Sequence, residues 1–159
     1  MIRYVFASLL ICVCACSRQH GGSRQQGPVV AVPEFTIRIA LTEAAARGLS
    51  EAGETIRGSV FFDGDGTPLP NVKTAPMRDV FLGSYRFELE KPGELRIADA
   101  VISEEAFSRL SDTNYHFFVN VYSGRRVFPD NVLSGGYARG RLADLRSDKP
   151  IQITCDLIL

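Results

Sequence analysis

A period-two alternation of apolar residues constrains this chain more than any other feature, and it is strongest over Tyr115–Ser123. Phe117, Val119 and Val121 fall on one side there, and His116, Phe118, Asn120 and Tyr122 on the other, the signature of a strand with one buried face. The same spacing recurs in Phe35, Ile37, Ile39 and Leu41, in Ile56, Val60 and Phe62, and in Phe81, Tyr85, Phe87 and Leu89. It returns in Leu95, Ile97 and Val101, and in Ile151, Ile153, Cys155 and Leu157. Gly58 interrupts one inward row and leaves a gap that a bulge or a neighbouring side chain can fill. Lys91-Pro92-Gly93 reads as a turn, with Glu94 to Ile102 returning as the hairpin partner of the strand before it. Asp99 breaks that return, so a bulge or an early end is expected there.

Two short helices fit between the strands. Thr42 is placed to cap Glu43 to about Glu51, which carries Ala45, Ala46 and Leu49 as a small apolar stripe and stops at Gly53. Ser103 caps Glu104 to Leu110, whose glutamates suit the positive end of a helix; Phe107 and Leu110 are expected over one end of the core. About six or seven strands with two connecting helices predict an all-β fold. The expected architecture is an antiparallel β-sandwich over residues 33–159, immunoglobulin-like or transthyretin-like in topology.

The amino terminus is of another kind. Arg3 is followed by an uncharged apolar run from Val5 to Val13, closing on the small residue Ala15 before Cys16. This is the layout of a secretory signal peptide, residues 1–15, and it is shorter than the roughly 20 apolar residues of a membrane-spanning helix. The quartet Val13-Cys14-Ala15-Cys16 resembles the bacterial lipobox, with Val13 where leucine is commonest. That resemblance implies cleavage before Cys16 and acyl chains on its sulfur. Several chains hold a protein on a membrane far more firmly than one, at about 0.8 kcal/mol per buried methylene. Residues 16–32 read as a polar tether that cannot bury enough apolar surface to fold, spanning roughly 20–25 Å. Ser17 beside the anchor resembles lipoproteins sent to the outer membrane, facing the periplasm. The segment Gly53-Glu54-Thr55-Ile56 and the later Pro129-Asp130-Asn131 also resemble small exported lipoproteins to which no activity is attached.

Charge and cysteine content narrow the function classes. Basic and acidic residues are balanced at 18 each, with no basic run of the kind a nucleic-acid surface requires. With Cys12 and Cys14 lost and Cys16 acylated, Cys155 has no internal partner, and its place in the last alternating strand predicts a buried, unreactive thiol. Asp63-Gly64-Asp65-Gly66 begins like a calcium loop, but Thr67 and Thr74 stand at the fifth and twelfth positions, where a calcium loop needs an oxygen ligand and a bidentate glutamate. A turn is the reading that remains, opening a long loop to about Asp79. His116 is the one histidine after the tether, and lies mid-strand without a serine or carboxylate to form a nucleophilic triad. No cofactor, metal or catalytic set is expected, although paired carboxylates of the glycosidase kind carry no local motif.

The candidate contact set is the cluster Tyr122, Arg125, Arg126, Asp130 and Asn131. Arg139 and Arg141 join it if Gly136 to Leu145 returns as a strand, and several arginines together can grip a carboxylate or phosphate. They can equally pair with Asp130 and Asp144 and hold the loop. The expectation is therefore a non-catalytic binding or structural module, attached through Cys16 to a membrane and meeting an envelope protein. The alternative is a small-ligand or carbohydrate binder, or a weak hydrolase, using the Arg125/Arg126 loop.

Overall fold

The computed structural model describes residues 27–66 and 79–158, with the backbone alone for Asp79 and residues 112–114. The expected signal peptide, Cys16, most of the tether and the loop at 67–78 lie outside the described residues. The strands are β1 (Val29–Ala31), β2 (Phe35–Leu41), β3 (Ile56–Gly66), β4 (Asp79–Leu89), β5 (Gly93–Ile97), β6 (Val101–Ser103), β7 (Leu110–Ser123), β8 (Leu133–Ser134), β9 (Tyr137–Arg141) and β10 (Ile151–Leu157). The helices are α1 (Glu43–Ala52) and α2 (Glu104–Phe107), with a single 3-10 turn at Leu142–Asp144.

Two four-stranded sheets, ordered β5-β2-β10-β8 and β4-β3-β7-β9, face each other as a sandwich. Their inner faces share one core. Phe35, Ile37, Ile39, Ile97, Ile153 and Cys155 come from the first sheet, and Ile56, Val60, Phe62, Leu82, Val119 and Val121 from the second. Burying each large side chain contributes about 1.5–3 kcal/mol, so these alternating rows carry most of the stability. Gly58 leaves the expected gap, and the ring of Phe87 fills it: a Cβ at Gly58 would strike that ring.

Among the described residues, all but one of the pairings are antiparallel. β10 lies parallel to β2, Ile151 opposite Ile37 through Cys155 opposite Leu41, so the last described strand closes against the first long one. In the immunoglobulin constant arrangement the first two strands share a sheet. Here β2 and β3 lie in opposite sheets, so the strand order departs from that arrangement.

Several local expectations are corrected. The segment Glu94–Ile102 is not the hairpin partner of β4: β5 pairs with β2, Phe35 opposite Ile97, because the Glu90–Pro92 turn carries the chain across the end of the sandwich to the other sheet. Beyond β5 the ladder stops at Ile97, before Asp99, whose carboxylate lies beside the Tyr85 hydroxyl. The tether read as 16–32 gives way early, since Val29–Ala31 pairs with Val101–Ser103. Val32 is buried, and its N–H donates to the Ala100 carbonyl at 2.9 Å. Asp63-Gly64-Asp65-Gly66 is not a turn but the end of β3, with Gly64 leaving room for Leu110. In β4 a bulge at Leu82 shifts the register, Phe62 facing Gly83 and Asp63 facing Phe81. Leu82 therefore points into the core and Phe81, expected inside, is 58% exposed. The second helix is four residues long and ends at Phe107 rather than Leu110, because the chain enters β7 at Leu110.

Candidate functional site

The best-built polar region lies at one end of the sandwich, where α1 hands over to β3. Thr42 caps α1 as expected, its Oγ1 accepting from the Ala45 N–H. At the other end Gly53 takes the left-handed conformation at φ 70°, its N–H donating to the Ser50 carbonyl and that of Glu54 to Leu49. This pair of reversed bonds is a Schellman closure, and it turns Glu54 inward, leaving it only 4% exposed.

A buried carboxylate must find donors or lose its charge, and Glu54 finds backbone N–H groups. It accepts from Thr55 at 2.8 Å, Arg126 at 3.0 Å, Val127 at 2.9 Å and Phe128 at 3.2 Å. The left-handed backbone of Arg125, φ 56°, lets the successive N–H groups converge, a concave anion nest occupied by the protein's own side chain. Gly124 is required beside it, since a Cβ there would strike Thr55 Oγ1; its N–H donates to the Thr55 carbonyl at 2.7 Å. Burial pushes the Glu54 carboxyl up, but the bonds from Val127, Thr55, Arg126 and Phe128 outweigh it and bring the pKa down to about 2.

Glu88 on β4 completes the frame. It accepts from Thr55 Oγ1 at 2.7 Å, Arg126 Nε at 2.7 Å and Arg57 Nε at 3.2 Å. Burial works against its charge, and these three partners hold its pKa below the ordinary carboxylate value. Further along the loop, Asn131 Oδ1 accepts from the N–H groups of Ser123 and Leu133 at 2.9 and 3.0 Å, and its Nδ2 donates to the Leu133 carbonyl at 2.7 Å. Gly53-Glu54-Thr55-Ile56 and the loop ending in Pro129-Asp130-Asn131 are thus two halves of one unit.

The expected contact set is divided by this geometry. Arg126 and Asn131 belong to the frame and are engaged by it, Arg126 with Glu88 rather than with Asp130. Arg125 and Asp130 are exposed at its rim. Tyr122 lies on the outer face of β7, in the row of Arg57. Gly136 to Leu145 does return as a strand, but the register sets Tyr137 opposite Asn120, Arg139 opposite Phe118 and Arg141 opposite His116. Those arginines therefore lie about 17–23 Å down the sheet from the loop at ~3.3 Å per residue, and Arg141 pairs with Asp144 at 3.1 Å. Glu54 is the residue that sequence reasoning missed.

Beside the frame is a cavity of about 620 Å³, lined by Leu41, Leu49 and Ile56 on the apolar side and by Glu90, Lys91 and Arg126 among its polar groups. His116 Nδ1 is 3.8 Å from Asp63 Oδ1 on the outer face. Among the described residues no three His, Cys, Asp or Glu side chains are grouped to hold a metal, and no helix is long and apolar enough to cross a membrane. Cys155 is fully buried and free, and burial pushes its thiol up. Comparison with protein families, with characterised proteins and with solved structures finds no match.

Proposed function

We propose that this chain is a lipid-anchored, non-catalytic binding module of a bacterial envelope, held by acyl chains on Cys16 at the outer membrane and facing the periplasm. What carries the binding reading is how the polar residues at the end of the sandwich are employed. Glu54, Glu88, Arg126 and Asn131 are engaged by backbone groups and by one another, so they build a fixed surface rather than offer a general base or nucleophile. A surface fixed in advance loses less entropy on meeting a partner. The anchoring reading is supported by the run from Val5 to Val13 and the quartet ending at Cys16. Labelling with palmitate and membrane fractionation test it. The wild-type chain takes up label and sediments with outer membranes, and Cys16→Ser loses both. An unlabelled wild-type chain in the soluble fraction contradicts the proposal.

A second reading is favoured by the cavity, whose apolar wall and flanking Lys91 and Arg126 suit a small ligand with an apolar body and an anionic group. Replacing Arg125 and Arg126 by alanine separates the two. Loss of small-ligand binding in a folded variant supports the ligand binder, and an unchanged chain leaves the partner-binding module.

A further inference from the structure

The outer face of the β4-β3-β7-β9 sheet carries an aromatic band, and the loop at the sandwich end meets this face at its margin, where Arg126 bonds Glu88. The strand registers place its side chains in rows: Phe81, Asp63, His116 and Arg141; then Ser84, Phe61, Phe118 and Arg139; then Arg86, Ser59, Asn120 and Tyr137; then Glu88, Arg57 and Tyr122. Phe61 and Phe118 stack at 6.4 Å between ring centroids, and Phe118 and Tyr137 lie at 6.4 Å, a continuous aromatic band across three strands. Tyr137 is 69% exposed. The four-strand face is about 14 Å across at ~4.8 Å between strands, wider than an α-helix with its side chains, about 10–12 Å.

Arg86 and Arg139 flank this band from opposite edges, and neither meets a carboxylate among the described residues, whereas Arg57 and Arg141 are paired. The four arginines stand against Asp63, Asp65, Glu88 and, at the rim, Asp144, so the face is balanced overall and its unpaired positive charge lies at Arg86 and Arg139. Among the described residues this face carries no lysine. Aromatic residues and arginine without lysine are the composition of a protein interface core, and tyrosine and arginine are the residues that most often dominate binding energy.

We infer that this face docks a protein partner presenting an acidic segment with aromatic or apolar residues, which seats on Phe61, Phe118 and Tyr137 and places carboxylates against Arg86 and Arg139. The inference rests on the reading of this chain as a binding module and is independent of the anchor. A chain that docks the partner but carries no acyl groups keeps this inference and loses the anchored reading.

The test uses the full chain in detergent and a glutamate–tyrosine copolymer as probe, with polygalacturonate as an acidic glycan of matched charge. The copolymer is expected to bind about tenfold more tightly than the glycan, to weaken with added salt, and to perturb the amide resonances of β3, β7 and β9. The double variant Arg86→Ala, Arg139→Ala is expected to bind about tenfold more weakly, and Tyr137→Ala, whose exposed side chain the fold does not need, to weaken binding as well. Arg96→Ala on the opposite sheet serves as the control and leaves binding unchanged. Absence of copolymer binding, equal affinity for the glycan, indifference to the Arg86 and Arg139 changes, or dimerisation through this face in sedimentation would each overturn the inference.

Discussion

Glu54 shows how much one side chain can organise. It is buried, charged and surrounded by N–H groups from a loop 72 residues further along the chain. Its carboxyl is held at about 2, against 4.5 for the free group, so the folded state favours the ionised form. The resulting stabilisation is fully present above the unfolded value and fades as pH falls from about 4.5 towards 2, and it is on the order of 3 kcal/mol at neutral pH. Glu54→Ala leaves several buried donors without an acceptor and is expected to cost about 2–4 kcal/mol. Chemical denaturation of wild type and variant at pH 7 and at pH 2.5 checks this: the gap between them is wide at the higher pH and narrows at the lower. A gap independent of pH contradicts the nest. From the sequence, Glu54 is a glutamate after a helix-ending glycine, and exposure is the ordinary expectation for such a residue. Nothing local reveals the donors, because they are backbone groups aligned by the left-handed turn at Arg125.

Among the elements, the legible ones are those whose signals lie within a few residues. α1 is capped by Thr42 and closed by Gly53 as expected, β7 buries Phe117, Val119 and Val121, and β10 buries Ile153 and Cys155. β4 was only half legible, since a single extra residue in one strand reverses every side chain beyond it. The bulge at Leu82 sets the direction of Phe81, and it shows only in the register against the partner strand β3. Leu82→Ala is expected to cost about 2–5 kcal/mol, and Phe81→Ala no more than about 0.5 kcal/mol, a ranking opposite to the one side-chain size suggests. Equilibrium unfolding of the two variants decides it; a larger loss for Phe81→Ala would mean the unbulged register. β5 was misplaced for a similar reason. The Lys91-Pro92-Gly93 turn is visible in the chain, but whether it returns to β4 or crosses to β2 depends on which edge is open.

On the scale of the whole molecule, alternation was enough for the sandwich and too little for its strand order. The parallel pairing of β2 with β10 joins segments more than a hundred residues apart, and no local pattern announces it. The candidate contact set fared likewise: Arg125, Arg126, Asp130 and Asn131 share one loop, but the register moved Arg139 and Arg141 down the sheet, where Arg139 borders the aromatic face instead. The resulting account is of a sandwich with a fixed loop frame at one end and an aromatic face on one side, which in the function we propose is held near a membrane through Cys16. The proposed attachment would give the two surfaces their setting, and the intact mass of the mature chain from bacterial membranes tests it most directly. The account predicts an amino terminus at Cys16 carrying acyl chains. A mature chain that begins elsewhere, or one with an unmodified Cys16, contradicts it.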